Sequence, residues 1–174
     1  MNSDLFTATR AEVSLYRFPA LFYPVAAIVA LALQAYLPLL FHAAVYLNLP
    51  LLVVAYYGLS KRSAAGGVVA GAVMGLLQDS VSHLALGLNG IAETVAGYIA
   101  AGIGGRFDSD NAGVRFVVVA GLYAMDAALI YLMERYLMGR AVPWWGGRLA
   151  VAAVFNGAVA VAVFQLLDRF RRMR

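Results

Sequence analysis

Three carboxylates lie in stretches of the sequence that are otherwise almost uncharged. Asp79, Glu93 and Asp126 are each flanked mainly by small or apolar residues. If these stretches cross a membrane, a charge at the bilayer centre costs about 2.5–3.5 kcal/mol on insertion scales. Each acid is therefore expected to face the interior of a helix bundle, a water-filled cavity or a partner protein. There it would bind an ion or a substrate, or accept hydrogen bonds that hold helices together.

A regular row of glycines leads to the first of these acids. Gly67, Gly71, Gly75 and Asp79 follow one another at intervals of four residues, and this spacing places them on one helix face. Glycines on one face let a second backbone approach closely, which is how helices pack in lipid. The row predicts a packing face, and the spacing leaves open whether that face meets this chain or another protein.

The next apolar segment repeats the pattern around the second acid. Glu93 follows Asn89 and precedes Gly97 and Ala101, again at intervals of four residues. Joined by a short turn, the two segments predict a close helical hairpin with Asp79 and Glu93 both towards the outer side of the membrane. Glu93 falls near the outer end of its helix, where solvation by water is an alternative to a functional role.

Asp126 is predicted to lie near the middle of its helix. A buried acid with no basic residue in any predicted span needs a hydrogen-bond donor. Asn156 and tyrosines such as Tyr57 are the candidate donors. The alternatives for Asp126 are a satisfied structural acid and a group that binds a ligand or a partner.

The composition indicates the element that must position these residues, namely the membrane-spanning helix. The chain has 174 residues, of which 63% are hydrophobic and 13% charged, whereas a globular domain carries about 25% charged residues. A span needs about 20 apolar residues, so the chain predicts a single all-α integral membrane domain over residues 1–174. Six spans are expected, at about 20–39, 46–59, 66–84, 88–105, 116–136 and 149–167.

The distribution of basic residues predicts the orientation. With the amino terminus inside, ten of the 13 Lys and Arg residues fall in cytoplasmic segments, as the positive-inside rule requires. Both termini are therefore expected in the cytoplasm of a bacterial inner-membrane protein, without a cleavable signal peptide. Trp144 and Trp145 are expected to anchor the outer interface, since indole rings prefer the headgroup region.

Several kinds of chemistry lack support in the residues. The chain has no cysteine, which excludes disulfides and Cys-based metal sites or nucleophiles. No catalytic, cofactor-binding or metal-binding constellation stands out, so an enzyme is not expected. The net charge of +4 follows from basic residues at membrane exits and does not indicate nucleic-acid binding.

The chain resembles the MreD family, the small polytopic component of the bacterial cell-elongation machinery. The resemblance covers about residues 49–136. It rests on the helix LLVVAYYGL, the run GGVVAGAVMGLLQDSVSHLALGLNGI with its GxxxGLLxD core and LGL turn, and the mid-helix acid in YAMDAALI. The positions that match the family's motif are Gly71, Gly75, Asp79, Gly87 and Asp126.

This resemblance implies a non-enzymatic scaffold of peptidoglycan synthesis that maintains cell shape. It implies a fold similar to the substrate-binding subunits of energy-coupling-factor transporters. The implied partner is an MreC-like single-span protein and, through it, a glycan polymerase, a class B transpeptidase and an MreB-type cytoskeleton. The matched positions, together with Gly67 and Glu93, would serve helix packing and partner docking.

Two other classes of function remain open. The first is a vitamin-binding subunit of an energy-coupling-factor transporter, with an outer pocket that could use Asn89, Trp144 and Trp145. Ala26 and Ala30 faintly match the small-residue pair with which such subunits dock. The second is a proton- or ion-coupled permease, in which Asp79 would bind the transported ion.

Overall fold

The computed structural model describes residues 21–82, 85–107, 110–143 and 146–169. These residues form an all-α bundle, which confirms the predicted fold class. Within these ranges the chain forms six α-helices, supplemented by a 3₁₀ turn at His42–Tyr46 and a π-helical turn at Met133–Leu137. The α-helices are α1 (Phe22–Leu40), α2 (Leu49–Lys61), α3 (Ala64–Ser82), α4 (Leu88–Gly104), α5 (Ala112–Leu132) and α6 (Gly146–Asp168).

Four of the helical segments are long and apolar enough to cross a membrane. They are Phe22–Leu40, Ala64–Ser82, Ala112–Leu137 and Gly146–Asp168. α2 and α4 are shorter, with 13 and 17 residues. The outward faces of the long helices carry large apolar side chains, and Ile28 of α1 is 68% exposed. Such a surface is unfavourable in water and suits contact with lipid.

Local signals explain several helix ends. Asn48 caps α2 by accepting a hydrogen bond from the backbone N–H of Leu51, and Pro50 follows at the start, where a missing N–H costs least. Arg62 ends α2 in the left-handed conformation. Asn111 caps α5 with hydrogen bonds from the N–H groups of Gly113 and Val114.

The start of α5 differs from the sequence prediction. The sequence predicts a polar loop over residues 106–115 and a span from Phe116, yet α5 begins at Ala112. Asn111 explains the earlier start, because its side chain satisfies the first free N–H groups of the helix. Arg115 therefore belongs to the helix and is buried, with 4% exposure.

The most extensive helix contact joins α3 and α4, and α2 and α5 also pack against α4. α4 is therefore largely enclosed, although it carries Asn89 and Glu93. The main apolar core lies between α2, α4, α5 and α6 and includes Leu51, Tyr56 and Phe164. Ala30 of α1 packs inward against Val54 and Met74. It is therefore covered by this chain.

Candidate functional site

The glycine row of α3, here called the glycine face (Gly67, Gly71 and Gly75), lies against the backbone of α4. A Cβ atom at any of the three would overlap a carbonyl oxygen of α4: that of Gly97 for Gly67, of Glu93 for Gly71 and of Asn89 for Gly75. A side chain there requires the two helices to separate. The face that the spacing left unassigned thus meets this same chain.

Asp79, at the end of this face, is fully engaged at the start of α4. Its Oδ2 accepts hydrogen bonds from the backbone N–H groups of Gly87 (2.8 Å) and Gly90 (3.2 Å). Its Oδ1 accepts from the backbone N–H (3.1 Å) and the side-chain Nδ2 (2.8 Å) of Asn89. The carboxylate caps a neighbouring helix, and its charge also suits the positive end of the helix dipole.

Gly87 has the conformation that this cap requires. Its φ is 102°, in the left-handed region that L-residues with a side chain rarely adopt. In this conformation Gly87 starts α4 and directs its N–H at Asp79. Asp79 and Gly87 therefore act as one unit that turns the chain from α3 into α4.

Glu93 lies inside the bundle, and the solvated alternative for this residue is wrong. Its side chain is 0% exposed. Within the described part of the chain, neither carboxylate oxygen has a hydrogen-bond partner. The close packing of α3 on the Glu93 backbone removes water from a position that is near the helix end in sequence.

Asp126 is also buried, at 2% exposure, but it is half satisfied. Its Oδ2 accepts a hydrogen bond of 3.3 Å from Nδ2 of Asn48. Its Oδ1 has no partner among the residues that the structure describes. The predicted donors, Asn156 and Tyr57, are wrong. The actual donor is the residue that caps α2, whose side chain serves both the cap and the acid.

Asn156 contributes indirectly, by fixing the segment that carries Asn48. Its Oδ1 accepts from the backbone N–H of Asn48 (2.9 Å), and its Nδ2 donates to the carbonyl oxygen of Tyr46 (2.7 Å). Gln34 of α1 also fixes this segment. Its Nε2 donates to the carbonyl oxygen of Leu47, and its Oε1 accepts from the backbone N–H of Leu49. Buried side-chain amides thus hold the connection between α1 and α2 in place.

A cavity of about 320 Å³ opens beside this network. Its wall is formed by α1, the 3₁₀ turn, α3, α5 and α6, and it contains Asp126 and Asn48. Gln78 of α3 also lines it, and the Oε1 of this side chain has no hydrogen-bond partner within the described ranges. Two buried acceptors without a donor therefore share one cavity.

The opposite end of the bundle holds an ion cluster around the buried Arg115. Arg115 Nη2 lies 2.7 Å from Asp168 Oδ2 and 3.2 Å from Asp110 Oδ1. The hydroxyl of Tyr56 donates to Asp168 Oδ1 at 2.8 Å. The guanidinium also lies over the ring of Phe164, 5.8 Å from its centroid. These contacts tie α2, α5 and α6 together, and every charge in the cluster has a neighbour of opposite sign.

Several of these polar residues were missed by sequence reasoning. Asn48, Gln78 and Gln34 were not singled out, although polar amides in apolar surroundings are a usable signal. Arg115 was assigned to a loop. Across the ranges that the structure describes, no cluster of three or more His, Asp or Glu side chains could hold a metal ion. Trp144 and Trp145, predicted to anchor the interface or line a vitamin pocket, lie outside the described residues.

The comparisons with known proteins agree with the resemblance seen in the sequence. No curated protein and no solved structure matches the chain significantly. A family model, described as rod shape-determining protein MreD, matches residues 15–169. The match includes all six helices and every buried acid described above. The chain therefore belongs to the MreD family of rod shape-determining membrane proteins.

Proposed function

We propose that this protein is a non-enzymatic scaffold of the cell-elongation complex and binds an MreC-like single-span partner. Family membership already gives a role in rod shape determination. The observation that favours a scaffold over an ion-coupled permease is the state of Asp79. All four of its hydrogen bonds go to the start of α4, so it serves helix packing and not ion transport.

The protein would act as one integral membrane domain of the bacterial inner membrane, with both termini in the cytoplasm. The positions of the basic residues support this orientation. Lys61, Arg62 and Arg106 lie near the end of the bundle that holds the Arg115 cluster, whereas Arg140 and Arg148 lie at the cavity end. The excess of cations at the first end fits a cytoplasmic location.

The predicted site residues would support partner binding through the shape of the hairpin α3–α4. Gly67, Gly71, Gly75, Asp79 and Gly87 set the distance and angle between these helices. Glu93 and Asp126 lie behind them in the bundle. Because six of the seven are buried by this chain and Gly87 is half-buried, their effect on a partner would be transmitted mainly by the surface that the hairpin presents.

Affinity purification of the tagged protein from native membranes, with partners identified by mass spectrometry, tests the scaffold. We expect an MreC-like protein together with wall-synthesis enzymes, and rounded cells when the protein is depleted. Recovery of two ATPases with a transmembrane coupling subunit would contradict the proposal and indicate vitamin transport. A tightly bound vitamin in the purified protein would have the same meaning.

Photo-crosslinking from exposed positions tests whether the partner contact is direct. Ile28 and Val73 lie along an apolar groove between α1, α2 and α3, whereas Val117 and Val151 lie on α5 and α6. A photoreactive residue on one of these faces should crosslink to the MreC-like protein. If none of the four positions crosslinks while the proteins still co-purify, the association is indirect and direct binding is wrong.

The contribution of the hairpin is tested with a matched set of leucine substitutions. Gly71→Leu should abolish co-purification of the partner, since its side chain must displace the backbone of α4. Gly102→Leu is the control, because a Cβ there meets nothing within 4 Å. Ala70→Leu should also be milder, because Ala70 faces the groove. Equal behaviour of the three variants would remove the glycine face from the proposed mechanism.

A further inference from the structure

The cavity of about 320 Å³ at the end of the bundle opposite Arg115 has the features of a binding site. Its volume lies at the lower limit for ligand pockets, about 300–1,000 Å³. It combines apolar walls with a few polar groups, as ligand sites generally do. Neither the family description nor the scaffold role accounts for it.

Two side chains that line this cavity carry an oxygen atom without a hydrogen-bond donor in the described part of the chain. Asp126 is 2% exposed and its Oδ1 has no partner in the described ranges. Gln78 is 9% exposed, and its Oε1 also has no hydrogen-bond partner in the described ranges. A buried acceptor left without a donor costs about 1–3 kcal/mol, and more where the group is charged. Two such acceptors in one cavity therefore favour an occupant that carries several N–H or O–H groups.

The tyrosine side chains that line the cavity favour a cationic occupant. Tyr46, Tyr123 and Tyr131 all line the cavity, and aromatic rings attract cations through their π faces. A primary ammonium group supplies three donors and one positive charge. Its three N–H groups are enough in number for Asp126, Gln78 and one further contact. A neutral apolar group would leave both acceptors unsatisfied.

The charges at the mouth of the cavity fit a ligand that also carries a negative group. Arg148 lines the cavity and is exposed. Glu134 lines it as well, and its Oε1 lies 3.0 Å from Nη1 of Arg140. A zwitterion could place its ammonium group inside, near Asp126. Its anionic group would then lie at the mouth, near the guanidinium of Arg148.

We propose that this cavity binds a primary ammonium group, with Asp126 and Gln78 as its acceptors. Phosphatidylethanolamine and a free small amine such as phosphoethanolamine carry the same head chemistry. In the first case the acyl chains would lie along the apolar outer surface of the bundle. In the second, the whole ligand would enter from water.

Native mass spectrometry and thermal unfolding of the purified protein test the site. The lipid arm compares phosphatidylethanolamine with phosphatidylcholine, whose quaternary ammonium has the same charge and no N–H donor. The soluble arm compares phosphoethanolamine with phosphocholine. Selective binding in the lipid arm alone identifies a lipid site, and selective binding in the soluble arm identifies a small-molecule site. Either result supports the proposal.

Two variants connect the binding to the named residues. Asp126→Asn and Gln78→Met should each lower affinity for the primary amine, Asp126→Asn by about 10–100-fold. Asp110→Asn, at the far end of the bundle, is the matched control and should bind as the wild type does. Thermal unfolding without ligand shows that each variant is folded. Equal binding of the ethanolamine and choline forms, binding unaffected by Asp126→Asn, or no binding in either arm would overturn the proposal and leave a cavity that holds only water.

Discussion

At the end of the bundle where α5 begins, Arg115 is buried between two carboxylates, and Tyr56 bonds to one of them. At the other end, Asp126 is buried with one hydrogen bond from Asn48 and one oxygen without a partner in the described chain. The first end is filled and charge-compensated. The second borders a cavity.

This difference separates residues that hold the bundle together from residues that are available for binding. A buried charge that is already paired and hydrogen-bonded has no free position for a ligand. Removing one member of the pair leaves the charge of the other uncompensated. An acid with one unpaired oxygen is stabilised when a ligand donates a hydrogen bond to that oxygen. The Arg115 end is thus expected to control stability, and the Asp126 end to control binding.

Substitution of Arg115 should give the largest loss of stability. Arg115→Leu leaves the partly exposed Asp168, which contacts α2 and α5, without its cation, and we expect a loss of about 2–4 kcal/mol in the free energy of unfolding. Unfolding in mixed detergent and dodecyl sulfate micelles measures it. Arg106→Leu is the control, since Arg106 is exposed at the same end. Equal losses would mean that net charge, not the buried cluster, stabilises this end.

Asp79 provides a saturated acid at the cavity end, for comparison with Asp126. Asp79→Asn places an amide NH₂ group against backbone N–H donors and should reduce the free energy of unfolding by about 1–3 kcal/mol. Ser80→Ala is the control, because the Ser80 hydroxyl is exposed and donates to the carbonyl oxygen of Leu76 in its own helix. The same unfolding assay applies. An unchanged stability would show that the α4 cap tolerates loss of the carboxylate.

Asp126→Asn should alter stability by no more than about 1 kcal/mol. The amide oxygen can still accept from Asn48, and the NH₂ group replaces the oxygen that had no partner. The comparison between Asp79→Asn and Asp126→Asn is the sharpest test, since both replace a buried carboxyl group with an amide of nearly the same shape. If Asp126→Asn were the more destabilising of the two, Asp126 would belong to the structural group.

Asp110 should show the smallest effect. Its side chain is 56% exposed, so its ion pair with Arg115 is screened by water, and Asp110→Ala is expected to cost about 0–1 kcal/mol. Asp168→Ala, which also removes an acceptor from Tyr56, should cost more. A double-mutant cycle with Arg115 measures both couplings. The coupling energy of Arg115 with Asp168 should exceed that with Asp110, because Asp168 is the less exposed of the two. Equal coupling energies would contradict this expectation.

Much of the fold could be predicted from the sequence, because the relevant physics is local. Charge-free runs, loop polarity and prolines located the helices, and intervals of four residues grouped Gly67, Gly71, Gly75 and Asp79 on one face. The motif around Asp79 and Gly87 also led to the family. These signals depend on neighbours along the chain, so no tertiary information was needed.

The partners of the buried polar groups could not be predicted in this way. Asn48 meets Asp126 across 78 positions and Asn156 across 108, and no periodicity connects residues so far apart. Proximity to a helix end misled the interpretation of Glu93, because burial there comes from α3 packing on the α4 backbone. The sequence predicts a loop at Arg115 because its partner Asp168 lies 53 positions away in the chain.

The sequence by itself determined that this is a helical membrane protein of the MreD family, with small residues on one face of α3 and acids placed where they cannot be solvated by lipid. Hydropathy and helical periodicity suffice for that, since both are properties of consecutive residues. Only the tertiary structure decided which acid is saturated, which is half satisfied and which end of the bundle holds a cavity. The donors come from other helices, and their distances depend on how the whole bundle packs.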